Sequence, residues 1–218
     1  SYMIALMQES YDGEFLFTSD EEIGLIGANH LELPLNATYM LNLDSEEEGE
    51  ICIGCAGGVD IFASITNKKI VPNRDNLDLY EISISKLQGG HSGVDIDKNI
   101  PNGIKLIAQT IKECNGKLLD INGGERINSI PVNVKAIIAS AKTPMASHEN
   151  MIIEKVPTKS EHLNIFDDSI IDFIYDFQNG VRDMNSELNV VQSSINIAII
   201  KTDINGIKIE LSARSMDN

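Results

Sequence analysis

The sequence is poor in positive charge. Seventeen lysines and arginines stand against 33 aspartates and glutamates, which leaves a formal net charge of −16 at pH 7. A chain with this electrostatic field repels phosphate backbones and anionic lipid. We therefore expect neither a nucleic-acid-binding protein nor one that lies on a membrane surface.

Cysteine is also scarce, with three in 218 residues, an odd number in a chain long enough to form a core without cross-links. This usage is typical of a reducing compartment, where cysteine is a small buried hydrophobe. Cys52 and Cys55 have a C-x-x-C spacing, but residues three apart in a strand face opposite sides and no second pair is present. A disulfide, a redox pair or a zinc half-site is therefore not favoured.

Long apolar runs are missing as well. None approaches the roughly 18 to 20 residues of a membrane span, and the first nine residues contain neither the basic region nor the cleavage site of a signal peptide. These features predict a cytoplasmic protein without a membrane segment. A composition of 42% hydrophobic and 23% charged residues indicates a globular chain, and its length allows one or two domains.

The first part of the chain has short apolar runs that end in acidic residues. We predict strands over residues 14–18 and 39–43, with a helix over 24–31 between them. Glu21 follows the first strand and Asp44 the second, and parallel strands would bring both carboxylates to the same edge of a sheet. This order predicts an α/β domain over residues 1–72.

Beyond residue 72 the predicted elements are longer. Apolar residues at the i, i+3, i+4 and i+7 spacing indicate one helix around residues 104–111 and a second around 170–177. Strands are predicted at residues 79–87, 117–121 and 132–140, and a hairpin at 193–214. We expect an α+β domain over residues 73–218, with an antiparallel sheet and helices on one face.

Two groups of residues have the chemistry of a site. Adjacent carboxylates, such as Glu21 and Glu22, can diverge so that one binds a metal and the other acts as a general base on the attacking water. His91 lies on a glycine-framed loop that leaves a strand, and Asn128 lies on a second glycine-containing loop. Taken singly, each segment is more often a solvated turn or a strand connection than a site.

Read in order, these segments resemble the aminoacyl-histidine dipeptidases, the carnosinase-like branch of the dinuclear zinc metallopeptidases related to aminoacylases and carboxypeptidases. The similarity extends from about residue 1 to residue 216, and DSEEEGE and GCAGG are its most specific parts. The motifs that carry it are TSDEEIGLIGA (18–28), LNLDSEEEGE (41–50), GCAGG (54–58), GGHSG (89–93), NGG (122–124) and NSIP (128–131).

The resemblance implies a catalytic α/β domain with two zinc ions and a smaller α+β lid that mediates homodimer formation. It implies a dipeptide substrate of the Xaa-His type. By motif position, the general base would be Glu21, and the oxyanion would be stabilised by His91 of the lid. The implied zinc ligands are Glu22 and Asp44, and the implied substrate-binding residues are Asn128 and Arg214.

The sequence also departs from the family pattern. The family's His-x-Asp segment and bridging aspartate lie upstream of the equivalent of Ser1, and its last zinc-binding histidine lies beyond the equivalent of Asn218. We therefore expect an internal fragment that is inactive by itself and binds zinc poorly. Residues 141–150 are too few for the lid helix that relatives place there.

Two alternatives remain open. A deacylase of N-acyl amino acids or a carboxypeptidase of the same superfamily would use the same metal chemistry. A non-catalytic dimerisation or binding module would keep the scaffold without the reaction.

Overall fold

Regular secondary structure is concentrated beyond residue 56 in the computed structural model, which describes residues 13–21, 24–44, 49, 54–66, 68–72, 77–157 and 162–217. The chain divides into two compact units, residues 1–52 and 53–218. This boundary is earlier than the expected one at residue 72. The reason is a strand over Gly57–Ile65 that pairs along its whole length with the last strand of the chain.

The described part of the first unit contains one short helix, α1 (Ile26–Asn29), within the predicted helical segment. The strands predicted over residues 14–18 and 39–43 are wrong, because both segments are irregular. Leu41 is 84% exposed, so this apolar run is not in a buried sheet. The carboxylate of Glu14 instead accepts backbone hydrogen bonds from Asn36 and Ala37 at 2.8 and 2.9 Å.

The second unit has ten strands in the part of the chain that the structure describes. Eight form one antiparallel sheet, in the order β1-β10-β9-β4-β5-β3-β6 with β8 also paired to β9, while β2 and β7 form a separate pair. The strands are β1 (Gly57–Ile65), β2 (Lys68–Pro72), β3 (Asp78–Ile84), β4 (Lys117–Gly123), β5 (Val134–Ser140), β6 (Met151–Val156), β7 (His162–Phe166), β8 (Gly180–Asn185), β9 (Val190–Asp203) and β10 (Gly206–Ser215).

Two helices contribute to the core of this unit, α2 (Gly103–Glu113) and α3 (Ser169–Asp176). The apolar spacing predicted both. Residues Ile104, Ile107 and Ile111 of α2 are 0% exposed and pack with the inward side chains of β3, which include Ile82. The opposite face of the sheet carries charge, as in the ion pair of Glu81 with Lys135 at 2.8 Å. One apolar and one polar face are typical of an antiparallel sheet.

The predicted hairpin is confirmed as β9 and β10, which turn over residues 204 and 205. Strand β9 has 14 residues and pairs with β10, β8 and, near its end, β4. Residues 141–150, where relatives were expected to have a lid helix, are irregular here. None of the helices in the described ranges is long and apolar enough to cross a membrane.

Candidate functional site

His91 lies on the loop that follows β3, and a short hydrogen-bonded ring fixes its backbone. The N–H of His91 donates to the Asp95 carboxylate at 2.7 Å, and the N–H of Asp95 donates back to the His91 carbonyl at 2.9 Å. Lys98 donates to the other oxygen of Asp95 at 2.6 Å. The Lys98 ammonium and the His91 N–H hold the pKa of the Asp95 carboxyl below its usual value.

The imidazole of His91 has a defined tautomer in this loop. Its Nδ1 accepts hydrogen bonds from the backbone N–H groups of Gly93 and Val94, each at 3.2 Å. An acceptor nitrogen carries a lone pair, so the neutral ring has its proton on Nε2. Burial lowers the pKa of His91, and the charge of Arg214 lowers it further, against an opposing effect from Asp95. His91 is therefore a neutral side chain that offers an Nε2–H donor.

Arg214, on β10, lies over the same loop. A Cβ placed on Gly93 would lie 2.8 Å from both Nε and Cζ of Arg214, so only glycine leaves room for the guanidinium there. Nε of Arg214 is buried and has no hydrogen-bond partner among the residues that the structure describes. The neighbouring Ser92 hydroxyl is likewise buried and without a partner in those residues. The guanidinium thus retains unused donor capacity beside His91.

The Asn128 loop is attached to the His91 loop through the backbone. The N–H of Ser92 donates to the carbonyl of Asn128 at 2.8 Å, and the N–H of Ile130 donates to the carbonyl of Gly90 at 2.9 Å. The residue between these two contacts, Ser129, forms an isolated antiparallel bridge with His91. Asn128 itself is exposed. The structure thus brings together three of the predicted site residues: His91, Asn128 and Arg214.

Asn196 on β9, which no sequence pattern indicated, also contacts the Asn128 loop. Its side-chain Nδ2 donates to the carbonyl of Ser129 at 2.9 Å, across 67 positions of sequence. A lone asparagine inside the apolar strand β9 gives no local signal of such a contact. Only the strand order brings the two residues together.

The predicted catalytic and metal-binding carboxylates lie in the first unit. Glu21 is exposed, and its backbone carbonyl accepts hydrogen bonds from the N–H groups of Gly24 and Leu25 at 3.1 and 3.0 Å. Asp44 is also exposed, and its N–H donates to the side-chain oxygen of Asn42 at 3.0 Å. Glu22 lies outside the described residues.

The donor set in the part of the chain that the structure describes does not by itself fit a zinc ion. Within the described ranges, no three histidine, cysteine, aspartate or glutamate side chains come together as a metal-binding group. Asp44 is one carboxylate, and zinc is bound in proteins mostly by nitrogen and sulfur donors with four-coordinate closure. Glu22 and Asp44 would supply only part of such a site.

The chain is similar to known dipeptidases. It is 30% identical over 232 residues to the cytosol non-specific dipeptidase of Escherichia coli (strain K12), a match that covers 93% of this chain and 47% of the relative. The crystal structure of aminoacylhistidine dipeptidase from Vibrio alginolyticus aligns with a TM-score of 0.70 at 29% identity, over 91% of this chain and 46% of that one. No protein-family model matches. The chain spans about half the length of these relatives.

Proposed function

We propose, from the similarity of this chain to a cytosol non-specific dipeptidase and to an aminoacylhistidine dipeptidase, that the protein to which it belongs hydrolyses dipeptides of the Xaa-His type. The observation that supports this most directly is the neutral His91, whose Nε2–H has no partner among the described residues and whose ring is close enough to Arg214 to feel its charge. An Nε2–H donor and a guanidinium are suited to the two anionic parts of a dipeptide in hydrolysis, the developing oxyanion and the terminal carboxylate.

We assign to His91 the stabilisation of the oxyanion that develops on the substrate. Its ring is fixed by two backbone donors at Nδ1, so its Nε2–H is already oriented before the reaction begins. A preorganised donor aimed at charge that develops in the transition state lowers the barrier without reorganisation. Replacing His91 should therefore lower kcat more than it raises KM.

We assign the substrate's terminal carboxylate to Arg214 and its backbone to Asn128. A guanidinium binds a carboxylate through two parallel N–H donors, which fixes the direction of the ligand. No described residue accepts a hydrogen bond from the buried Nε of Arg214, so this nitrogen is not already committed to a protein partner. The exposed amide of Asn128 is available on the adjoining loop.

We assign the general base to Glu21, which would accept a proton from the attacking water and return it to the leaving amine. Glu22 and Asp44 would contribute carboxylates to two zinc ions in the whole protein, whose other ligands must come from elsewhere. Because these two residues do not complete a zinc site, the proposed steps are those of the protein's own side chains. A cytoplasmic location is proposed by analogy with the cytosol dipeptidase.

The test is Glu21→Gln in the full-length protein. The amide keeps the size of the side chain and removes the proton acceptor, so turnover should fall by roughly 10²- to 10⁴-fold with the bound zinc unchanged. Glu32→Gln, at an exposed glutamate of the same unit, is the matched control and should leave turnover intact. Near-normal kcat in Glu21→Gln with its zinc content preserved would remove the assignment.

Product analysis separates the substrate classes. The full-length protein is offered Xaa-His dipeptides, other dipeptides, N-acyl amino acids and longer peptides, and the released amines are quantified. Cleavage of dipeptides in preference to the others supports the proposal. Preferential deacylation or removal of C-terminal residues from longer peptides would indicate the related deacylase or carboxypeptidase activity, and no zinc-dependent turnover of any of them would indicate a binding module.

We also propose a homodimer formed through the second unit. Strand β6 is at one end of the sheet, no described strand pairs with its outer edge, and Ile152 on it is 58% exposed. Such an edge can pair with a second copy. Ile152→Lys should shift sedimentation toward the monomer, whereas Ile204→Lys, at the exposed β9–β10 turn, should not. A dimer of unchanged stability in Ile152→Lys would exclude this edge.

A further inference from the structure

Asn196 is a fully buried amide on β9 that none of the roles proposed above uses. Its Nδ2 donates to the Ser129 carbonyl at 2.9 Å, and its Oδ1 accepts from Nδ2 of Asn102 at 3.1 Å. We propose that Asn196 is a positioning residue, which holds the Asn128 loop, and through it the His91 loop, against the start of α2. Its relevance to catalysis rests on the function proposed above.

The cap of α2 determines the orientation of the Asn102 amide and, through it, that of the Asn196 amide. Oδ1 of Asn102 caps α2 by accepting from the N–H groups of Ile104 and Lys105 at 3.0 and 3.3 Å. Its Nδ2 therefore points away from the helix and donates to Asn196 and to the carbonyl of Ile197, the latter at 2.8 Å. Because Asn196 must then accept from Asn102 through Oδ1, its Nδ2 is left to donate to Ser129.

The Ser129 carbonyl, which accepts the hydrogen bond from Asn196, belongs to a closed turn of the Asn128 loop. The N–H and the hydroxyl of Ser129 both donate to the carbonyl of Arg126, at 3.1 and 2.9 Å. The same turn holds Asn128, whose carbonyl accepts from Ser92, and Ser129 bridges to His91. A shift of the Ser129 carbonyl would therefore move Asn128 and the backbone of His91 together.

The burial of these groups makes the link energetically demanding. Asn196 is 0% exposed and Asn102 is 5% exposed, so water does not readily replace either amide. Truncation of Asn196 would leave the Ser129 carbonyl and one Asn102 N–H without partners, and buried polar groups tend to move until they find new ones. Because Ser129 bridges to His91, a displacement of the Ser129 carbonyl would be passed to the His91 loop.

The test measures the tautomer and the pKa of His91 by NMR of the 218-residue chain. Long-range ¹⁵N spectra of the imidazole report its tautomer, and a pH titration reports its pKa, with the His91 signals identified by their loss in His91→Gln. In Asn196→Ala we expect the preference for the Nε2–H form to weaken and the pKa of His91 to rise toward its usual value. This readout requires no turnover.

Thr202→Val is the matched control on the same strand. The Thr202 hydroxyl donates to the carbonyl of Ile121 at 3.1 Å and accepts from its N–H at 2.9 Å, so its removal also costs two hydrogen bonds, on the β4 side of the sheet. We expect Thr202→Val to lower the unfolding midpoint and leave the His91 tautomer and titration as in the wild type. An Asn196→Ala chain with an unchanged His91 would overturn the proposal.

A second variant keeps the proposal testable if Asn196→Ala does not fold. Asn102→Ser keeps a hydroxyl to cap α2 and loses both donations to β9, so it should change the tautomer and pKa of His91 in the same direction. A folded Asn102→Ser chain with an unaltered His91 would also overturn the proposal. In the full-length protein, Asn196→Ala should lower kcat about tenfold or more, as misplacement of a catalytic group does. If the protein proves to have no peptidase activity while His91 still responds, the proposed function falls and the positioning role stands.

Discussion

The guanidinium of Arg214 lies directly over Gly93, so that a Cβ at this glycine would be 2.8 Å from Nε. The backbone N–H of the same glycine donates to Nδ1 of His91 at 3.2 Å. Gly93 thus affects two of the predicted site residues. Its lack of a Cβ leaves room for Arg214, and its backbone N–H binds His91. Gly93 is not among the glycines with positive φ, so its importance here is the room that it leaves for the guanidinium in its present position.

Gly93→Ala should displace Arg214 in the folded protein. The added methyl group overlaps the middle of the guanidinium, which must move, and a shifted guanidinium no longer matches a terminal carboxylate bidentately. We expect KM for dipeptides to rise about tenfold with a smaller change in kcat, as measured by steady-state kinetics of the full-length protein.

Gly58→Ala is the control for this change. Gly58 is the cross-strand neighbour of Arg214 on β1, but a Cβ there meets only the Ala213 carbonyl at 3.9 Å, an ordinary contact. Its kinetics should match the wild type. Equal KM values in Gly93→Ala and the wild type would mean that Arg214 does not bind the carboxylate.

The second prediction concerns the pH dependence of His91. Burial and the Arg214 charge lower the pKa of this imidazole in the folded protein. The unfolded chain therefore binds more protons than the folded chain in the window just below pH 6.5, which is the usual value for histidine. The stability that His91 contributes is fully present above that value and is lost as the pH falls through the lowered pKa.

His91→Gln removes this dependence. Urea unfolding is measured for both chains at a series of pH values from about 7.5 to 4.5. As the pH falls, the free energy of unfolding of the wild type should decrease more than that of His91→Gln. A difference that stays constant across the range would show that His91 titrates alike in the folded and unfolded chains.

The sequence predicted the elements whose own residues determine them. The helix α2 has its apolar spacing, and its buried side chains include Ile104 and Ile111. Edge strands were missed because their outward residues are exposed, as Ile152 is in β6, so no clean alternation marks them. The strand predicted over 39–43 failed for the opposite reason, since an apolar run forms a strand only where a partner covers it.

In the candidate site, too, the sequence predicted some residues and not others. His91 and Asn128 were found because glycines frame their loops, and Arg214 came only from the resemblance to a family. Asn196 could not be found, because its partners Ser129 and Asn102 lie 67 and 94 positions away and only the strand order brings them together. Local motifs thus pointed to the candidate residues His91 and Asn128, whereas the hydrogen-bonded network around them depends on tertiary structure.

The third prediction concerns Lys105, whose ammonium caps the end of α3. Its Nζ donates to the carbonyls of Ile174, Tyr175 and Phe177 at 2.7, 2.6 and 2.7 Å. Unpaired carbonyls at a helix C-terminus favour such a cation. Lys105→Met keeps the apolar stem and should reduce the free energy of unfolding by about 1–3 kcal/mol in urea titrations.

Lys112→Met is the matched substitution on the same helix. Lys112 is exposed and forms an ion pair with Asp172, and exposed pairs contribute roughly 0–1 kcal/mol. It should therefore cost less than Lys105→Met. Equal losses in the two variants would show that the three carbonyls of α3 do not depend on Lys105.

The last prediction is that the 218-residue chain binds zinc weakly. Its assigned ligands are Glu22 and Asp44, two carboxylates without an imidazole, and a dinuclear site needs several ligands from separate segments. Titration calorimetry should detect no stoichiometric submicromolar binding, and Asp44→Asn should give the same heats as the wild type, because the remaining binding is unselective. A peptidase assay on the same chain should show no turnover. Tight binding of two zinc ions that is lost in Asp44→Asn would show that this chain already holds a complete site and that the ligands assigned here are too few.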